Sequence, residues 1–333
     1  MVTIKDVAQD AGVAVGTVSK VINGQYVSEK NRMKVEESVK KLGYKMNFYA
    51  RGLKTRNTYT VAAIVPEILN PFFAIWVYHI EQELYKNGYK MLLCNTQGTV
   101  EKEEHYFRMA AQNKVDGIIC VTYRDAESYV SEEIPMVSLD RHFEKKVSCI
   151  SSDNYLGGEL AARKMIDTGS KSLLYLRSGS AVSGETLKRG SGFADCCKAN
   201  GIPCETVDLG DDFQIFENGG SSIDDALCNF LISCRRTGRM RYDGIYTSTD
   251  DLAFVLLTQM RKLGIQVPEE VQIIGHDGLR MMNRGGYMVS SIAQPVEEMA
   301  RKSVDMVLKK IRGEETEILT ILPVKFVDGG TTR

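Results

Sequence analysis

The sequence predicts an α/β protein: a small all-α head at the N-terminus, followed by a two-lobed α/β body. Residues 1–46 contain three helical apolar patterns, each ended by Gly or Asn-Gly, and from Tyr59 onward short apolar runs alternate with helix-like stretches. Charge divides the same way, because residues 1–57 hold 11 Lys and Arg against 5 Asp and Glu, whereas the remainder holds 31 against 38. A basic head favours contact with a polyanion, and the alternative is a solvated surface of uneven charge.

Composition excludes several classes of protein. Hydrophobic residues make up 43% and charged residues 26%, as in a globular chain with a large core. No apolar run approaches ~20 residues and the first ten residues carry charge, so we expect neither a transmembrane helix nor a signal peptide. The eight cysteines form no CxxC pair, and Cys94 and Cys120 sit in apolar runs. We therefore expect buried thiols in the cytoplasm, no metal site and no cofactor.

The head is predicted to contain three short helices. Thr3 and Asp6 have the spacing of a capping box, Ile4, Val7, Ala8 and Ala11 share one helical face, and Gly12 suits a left-handed helix end. The second helix is expected at Val15 to Ile22, with Val18, Val21 and Ile22 inward. The third follows Ser28 and ends at Gly43, with candidate core residues Met33, Val35, Val39 and Leu42. This helix–glycine–helix spacing fits a helix-turn-helix unit, and the alternative is a plain helical hairpin.

The body alternates predicted strands and helices, which favours parallel sheets. The expected strands are TVAAIVP, YKMLLCN, DGIICVT, IPMVSLD, KSLLYLRSG, YDGIYTS, VQIIGHD and a last strand ILPVKFVD. Helices are expected in FAIWVYHIEQELYKNG, in Val100 to Gln112, and in SSIAQPVEEMARKSVDMVLKKI near the end. Two such units predict two lobes with a cleft between them.

The head resembles that of the lactose-repressor/galactose-repressor (LacI/GalR) family of bacterial transcription regulators. The resemblance runs without a gap through TIKDVAQDAGVAVGTVSKVING and VSEKNRMKVEESVKKLGYKMNFYARGLKT. It implies that the second helix lies in the major groove of operator DNA, and that Thr17, Ser19 and Asn23 help with base or phosphate contacts. Gly16 offers no side chain to a base edge, Val15 could touch a thymine methyl, and Lys20 stands where Arg is common in the family. We therefore expect little direct base reading at the front of this helix.

The same resemblance implies a hinge helix that enters the minor groove. Leu53 matches the apolar wedge that kinks the duplex, whereas Met46 stands where the family usually has Pro. Gly52 weakens so short a helix, so we expect it to order only on DNA; the alternative is a linker with no DNA role. The complete set of DNA-binding residues implied by the family is Thr3, Ile4, Val15, Gly16, Thr17, Ser19, Lys20, Asn23, Tyr44, Asn47, Ala50, Arg51, Leu53 and Lys54.

The body carries further markers of the family: NPFF, VSLDR, SSDNYLGG, the Arg189 to Phe193 motif, the Asp250 to Ala253 motif and GHDG. They imply a fold like that of periplasmic sugar-binding proteins, with a ligand between the lobes. Carboxylates, a guanidinium and an aromatic face suit a sugar, although Phe72 and Phe73 could be core, and Asp140 and Asp277 could cap turns. The implied effector-binding residues are Phe72, Phe73, Asp140, Ser183, Glu185, Arg189, Phe213, Asp250 and Asp277. An inward-pointing Glu185, expected on the loop before Arg189, would argue against an anionic ligand.

These observations define the expected organisation. Residues 1–46 form the head, 47–57 the hinge and 58–333 the body, with one lobe at 58–154 and 290–318 and the other at 155–289 and 319–333. We expect a homodimeric DNA-binding repressor that binds double-stranded operator DNA and is controlled by a sugar, without membrane contact or enzymatic activity. The absence of an apolar heptad tail favours a dimer over a tetramer. The alternatives are a global carbon regulator controlled by a phosphorylated carrier protein, and a sugar-binding transport protein.

Overall fold

The structure is a computed structural model that describes residues 2–22, 24–44, 57–122, 130, 133–143, 147–178, 184–210, 221–236, 239–281 and 285–333. It divides into two compact units, Met1–Thr58 and Tyr59–Arg333. Eight residues proposed for binding lie outside the described parts: Asn23, Asn47, Ala50, Arg51, Leu53, Lys54, Ser183 and Phe213.

The head contains the three predicted helices, α1 (Ile4–Ala11), α2 (Val15–Ile22) and α3 (Glu29–Leu42). Thr3 and Asp6 form the predicted capping box, and Gly12 and Gly43 end their helices at φ 62° and 61°. Ser28 occupies the N-cap of α3, but its side chain makes no capping hydrogen bond.

A small apolar core joins the three helices. Its buried members are Val7, Ala8, Ala11, Val18 and Val35. The prediction that Met33 is a core residue is wrong. Its side chain is 64% exposed, because Val35 and Val39 occupy the face of α3 that packs inward. Outside this core, Asp10 of α1 accepts hydrogen bonds from Ser38 (2.8 Å) and Lys41 (2.7 Å), which ties α1 to α3.

The body is built on two six-stranded sheets with equivalent strand orders. The first has the order β13-β5-β4-β3-β1-β2 and is entirely parallel; the second has the order β14-β12-β11-β10-β6-β7, in which only β14 is antiparallel. The strands are β1 Thr60–Val65, β2 Lys90–Asn95, β3 Gly117–Val121, β4 Met136–Leu139, β5 Ser148–Ser152, β6 Leu173–Arg177, β7 Cys204–Asp208, β8 Arg235–Arg236, β9 Arg239–Met240, β10 Gly244–Thr247, β11 Gln272–Asp277, β12 Ser291–Ala293, β13 Leu319–Leu322 and β14 Lys325–Val327. Strands β8 and β9 form a separate two-stranded ribbon.

Helices cover both faces of each sheet. They are α4 Pro71–Lys86, α5 Val100–Gln112, α6 Asn154–Asp167, α7 Gly184–Ala199, α8 Ser221–Cys234, α9 Asp250–Lys262 and α10 Val296–Ile311. The sequence of β1 is apolar at every position from Val61 to Val65 because both faces of the sheet are buried. Val61 and Val65 face one core of the first sheet, whereas Ala62 and Ile64 face the other. The predicted α/β class and the predicted bounds of α5 are confirmed.

The chain crosses between the sheets three times, and two crossings differ from those expected. Strand β12 pairs in the second sheet and β13 in the first, so these crossings lie near Gln294 and Pro323, about four residues beyond the expected boundaries at 290 and 319. The prediction of a single last strand in ILPVKFVD is wrong. Pro323 separates β13 from β14, and these two strands pair in different sheets. The stretch SSIAQPV likewise begins as strand β12, and α10 starts only at Val296.

Candidate functional site

The head presents the front of α2 to solvent. Val15 is 41% exposed, Gly16 and Lys20 are exposed, and Thr17 and Ser19 are half-buried. A Cβ at Gly16 would meet nothing within 4 Å, so packing does not require glycine there. Thr3 is committed to its capping box, Ile4 and Tyr44 pack against the core of the head, and all three lie outside α2. The exposed face therefore consists mainly of small side chains, as expected from the sequence.

The body gathers polar side chains at the carboxyl ends of its strands, where parallel α/β sheets commonly bind ligands. Asp140 follows β4 of the first sheet, and Asp277 ends β11 of the second. Both have left-handed backbone conformations, at φ 56° and 134°, which side chains other than Asn and Asp seldom adopt. Such strain at two carboxylates that end strands is typical of functional sites.

A hydrogen-bonded network joins two carboxylates through a serine. The hydroxyl of Ser151, at the end of β5, lies 2.7 Å from Oδ1 of Asp140 and 3.2 Å from Oε2 of Glu185. The side-chain amide of Asn154 also donates to Oε2 of Glu185, at 2.7 Å. Lys188 donates to the other oxygen of Glu185 at 2.6 Å. Glu185 is only 4% exposed and lies in the first turn of α7, so the expectation that it lies on a loop is wrong.

Arg189 lies in the middle of this network and is 5% exposed. Its Nε donates to Oδ1 of Asn154, and its Nη1 donates to the carbonyl of Ser248, both at 2.6 Å. Burial acts to lower the pKa of Arg189, but Asp277 and other neighbours outweigh it and hold the pKa above its usual value. The guanidinium therefore remains charged and compensates the surrounding carboxylates.

The close packing of α6 against α7, which positions Arg189, depends on two glycines. A Cβ at Gly158 of α6 would overlap the carbonyl oxygen of Arg189, and one at Gly192 of α7 would overlap the carbonyl of Tyr155. Helices α6 and α7 therefore cross with their backbones in contact. This crossing places Asn154, at the start of α6, beside Arg189 and Glu185 in α7.

Asp277 is linked to the other sheet by Gln294. The amide nitrogen of Gln294 donates to Oδ1 of Asp277 at 2.8 Å, and its oxygen accepts from Ser152 at 2.7 Å. Asp250 lies behind Asp277, is fully buried, and accepts from the Ser291 hydroxyl and the backbone amide of Leu279, each at 2.6 Å. With both oxygens engaged, Asp250 orders the segment around Asp277.

Asp140, Asp250 and Asp277 are hard to ionise. Burial raises the pKa of Asp277 to about 8, against the opposing effect of Arg189. Burial and the nearby Glu185 raise the pKa of Asp140 to about 6, and burial raises that of Asp250 to about 6. Burial and Arg189 lower the pKa of His276 well below its usual range, so its ring is neutral and shares a 2.7 Å hydrogen bond with Tyr246.

Phe72 and Phe73 lie at the start of α4, where Asn70 caps the helix by accepting from the amide of Phe72 at 2.9 Å. Both rings are buried in the core of the first sheet and meet edge to face, with centroids 5.4 Å apart. Phe72 also lines a cavity of about 960 Å³, together with Asp277, Gln294, Ile75 and His79. Phe72 therefore belongs to the core of the first sheet and also borders this cavity, which Asp140, Glu185 and Arg189 do not line.

Sequence reasoning missed the residues that connect the site: Ser151, Ser152, Asn154, Ser248 and Gln294. The first three belong to the motif SSDN, whose buried polar side chains could have indicated a site next to β5. In the described part of the chain, no group of three or more His, Cys, Asp or Glu side chains could hold a metal ion. Within the same residues, no helix is both long and apolar enough to span a bilayer.

The chain matches two families over almost its whole length. Residues 3–47 match the bacterial regulatory proteins of the lacI family, and residues 58–328 match the periplasmic binding proteins and sugar binding domain of the LacI family. The ribose operon repressor of Bacillus subtilis is 34% identical over 100% of this chain and 99% of its own length. The sucrose operon repressor of Streptococcus mutans is 32% identical over 98% of each chain.

Solved structures give the same result. A LacI-type regulator from Alkaliphilus metalliredigens, complexed with D-xylulofuranose, is 30% identical with a TM-score of 0.70, covering 83% of this chain and 99% of its own. The lac repressor dimer bound to operator and an anti-inducer has a TM-score of 0.84 over 99% of both chains, at 21% identity, and so supports the fold. This chain therefore belongs to the LacI/GalR family of bacterial transcription regulators, as a repressor with a DNA-binding head and a sugar-binding type of body.

Proposed function

We propose that the body binds a sugar through Asp140, Glu185, Arg189 and Asp277, and that the bound sugar changes the affinity of the head for operator DNA. The observation that carries this proposal is the origin of the four side chains. Asp140 follows β4 of the first sheet, whereas Asp277 ends β11 of the second sheet. Glu185 and Arg189 lie on α7, which packs against β6 and β7 of the second sheet. A ligand that contacts both groups favours one arrangement of the lobes over others, which is the requirement for a ligand-controlled switch.

The chemistry of these residues suits a sugar. Carboxylates accept from pairs of hydroxyl groups, the guanidinium donates to ring and hydroxyl oxygens, and the aromatic ring of Phe72 offers a face to C–H groups. The relatives named above support a sugar as the ligand. Two of them are repressors of a ribose operon and a sucrose operon, and one related solved structure holds D-xylulofuranose. Ser183 and Phe213 are retained as further candidates from the family pattern, and Asp250 is proposed to act by ordering Asp277.

Operator binding is assigned to the front of α2 and to residues 47–54. Val15 and Gly16 offer apolar contact and close approach, and Lys20 offers a charge to phosphate or guanine. Leu53 is the proposed minor-groove wedge, as the family pattern implies. Because operator DNA lies in the bacterial cytoplasm, we propose that the protein acts there.

Exposed apolar side chains support a homodimer. Tyr78 (61% exposed) and Tyr85 (75%) lie seven residues apart on one face of α4, and Leu93 (40%) lies on the edge strand β2 beside it. A two-fold pair would bring two heads to the two halves of a pseudo-palindromic operator. Sedimentation of wild type and of Tyr85→Glu tests this, because the charged variant should shift the protein towards the monomer.

The first experiment is binding to the DNA upstream of the gene for this protein, at fixed salt, with and without a panel of sugars. Release of DNA by one sugar would identify an inducer, and tighter binding would identify a corepressor. Arg189→Ala should keep operator binding and lose the response. Operator binding without a response to any sugar would favour control by a protein partner, and the absence of specific DNA binding would contradict the proposal.

A further inference from the structure

Two cysteines face each other between α7 and β7. Cys197 lies in the last turn of α7, is fully buried, and belongs to the core cluster that includes Tyr175 and Phe193. Cys204 is the first residue of β7, is half-buried, and packs against the same cluster. Val207, three residues further along β7, faces the opposite core of the second sheet. Because side chains alternate along a strand, Cys204 points towards the face that α7 covers.

Backbone hydrogen bonds fix the positions of these two residues. The amide of Ile202 donates to the carbonyl of Cys197 at 3.0 Å, which closes the turn after α7. The carbonyl of Pro203 accepts from the amide of Leu173 at 2.9 Å, and Leu173 of β6 is paired with Cys204. The turn and the sheet therefore hold the two thiols on facing elements.

The two thiols differ in how easily they ionise. The thiol of Cys197 donates a hydrogen bond to the sulfur of Cys204, which lowers the pKa of Cys204 against the opposing effects of burial and of the Glu205 carboxylate. The same hydrogen bond, together with burial, raises the pKa of Cys197. By contrast, burial raises the pKa of Cys94 to about 11. Because the thiolate is the reactive form of cysteine, Cys204 is the better nucleophile of the pair.

We propose that Cys197 and Cys204 are a redox-sensitive pair, which a hydroperoxide converts into a disulfide. Cys204 lies on β7, at an edge of the second sheet, and meets the oxidant, whereas the buried Cys197 resolves the product. An ionisable, accessible cysteine next to a resolving cysteine is the arrangement found in redox sensors. The disulfide ties the end of α7 to β7 and thus restrains the helix that also carries Glu185 and Arg189.

The reaction has two steps. The thiolate of Cys204 attacks one oxygen of hydrogen peroxide, a sulfur–oxygen bond forms, the oxygen–oxygen bond breaks, and the leaving hydroxide takes up the thiol proton as water. The sulfur of Cys197 then attacks the resulting sulfenic acid. The sulfur–sulfur bond forms, the sulfur–oxygen bond breaks, and hydroxide leaves with the proton of Cys197 as a second water. The two sulfurs together lose two electrons, which reduce the peroxide.

Peptide mapping of the full-length protein tests the proposal. The reduced protein is treated with hydrogen peroxide, remaining thiols are blocked with iodoacetamide, and the chain is cut after Lys and Arg by trypsin and after Glu by a glutamate-specific protease. Peptide 190–198 then holds Cys197, and peptide 199–205 holds Cys204. We expect a disulfide between these two peptides that dithiothreitol breaks.

Variants assign the roles of the two thiols. Cys197→Ala should lose the cross-link and leave Cys204 as a sulfenic acid, so that labelling of Cys204 by dimedone rises at least about tenfold over wild type. Cys204→Ser should lose both the cross-link and this label. Cys196→Ala is the matched control within the same peptide and should keep the cross-link. Consecutive helical residues point about 100° apart, and the sulfur of Cys196 lies 3.8 Å from the side-chain nitrogen of Asn200.

Three results would contradict the proposal. Oxidised wild type without a cross-link between the two peptides would overturn the pair. Loss of the cross-link in Cys196→Ala would transfer the role of Cys197 to its neighbour. Sulfinic acid on Cys204 of wild type, in place of the disulfide, would show that Cys197 does not resolve the sulfenic acid. The wild-type and Cys196→Ala maps decide the matter even if Cys197→Ala fails to fold, and none of these results depends on sugar or operator binding.

Discussion

The side chain of Gln294 donates to Oδ1 of Asp277 at 2.8 Å, where the chain crosses from β12 to α10. Because its oxygen also accepts from Ser152, at the end of β5, this one amide connects the first sheet to the carboxylate proposed to bind sugar. Each bond lies in a buried region, where a lost partner costs more than the bond contributes in water. Gln294 is therefore a direct physical link between the ligand site and the position of the lobes.

Gln294→Leu should weaken sugar binding about 10- to 100-fold, since it leaves Asp277 and Ser152 without their partner at a cost of about 1–3 kcal/mol. Operator affinity without sugar should change much less, because the head is a separate unit. Titration calorimetry and an operator-binding assay measure the two effects. Gln112→Leu, at the exposed last position of α5, is the matched control, and equal effects of the two variants would remove Gln294 from this role.

The stability of the body should depend on pH through Asp277. Its pKa is raised by burial to about 8 in the folded protein, against about 4 in the unfolded chain, so the folded state holds the proton more tightly. This contribution to the free energy of unfolding is complete below about pH 4 and is lost as the pH rises through about 8. Asp140 and Asp250, each raised to about 6, add to the loss over the lower part of this range.

Urea unfolding at pH 5, 7 and 9 checks the expectation. Asp277→Asn, which mimics the protonated form, should flatten the decline between pH 7 and 9, whereas the exposed Asp225→Asn should not. An unaltered decline in Asp277→Asn would show that another group controls it.

Gly158→Ala should destabilise the body by about 1–3 kcal/mol or more, because the new methyl group overlaps the backbone carbonyl of Arg189 and no side-chain rotation can relieve it. Sugar affinity should fall as well, since Arg189 must move. Gly184→Ala is the control, because nothing lies within 4 Å of the position of its Cβ. Thermal unfolding with calorimetry compares them, and a Gly158→Ala protein as stable as wild type would disprove the close crossing of α6 and α7.

Gly16→Ala should stabilise the head by about 0.5–1 kcal/mol, because alanine favours the helix and meets no neighbour within 4 Å. If α2 reads bases as proposed, the added methyl should also change the order of preference among operators that differ by one base pair. Gly12→Ala is the contrasting variant, since φ of 62° strains any L side chain and should lower stability. Thermal unfolding and competition binding test both, and an unchanged operator preference would place Gly16 away from the bases.

Local patterns in the sequence determined much of this protein. The capping box of Thr3 and Asp6, the helix ends at Gly12 and Gly43, and helix α5 follow from residues within a few positions of one another, where the spacing is fixed by helical geometry. Composition and alternation likewise predicted the α/β class, and motif resemblance indicated Asp140, Arg189 and Asp277 as candidates. Each of these features depends on near neighbours or on a short motif.

Only the tertiary structure decided which residues meet. Asp140 and Glu185 are 45 positions apart but share Ser151, and Gln294 reaches Ser152 across 142 positions. Helix period and strand alternation carry no information about such distant pairs, which depend on how sheets and helices pack. The same reason explains the sheets of β12 and β13: both are short apolar strands, and only long-range hydrogen bonding assigns one to the second sheet and the other to the first.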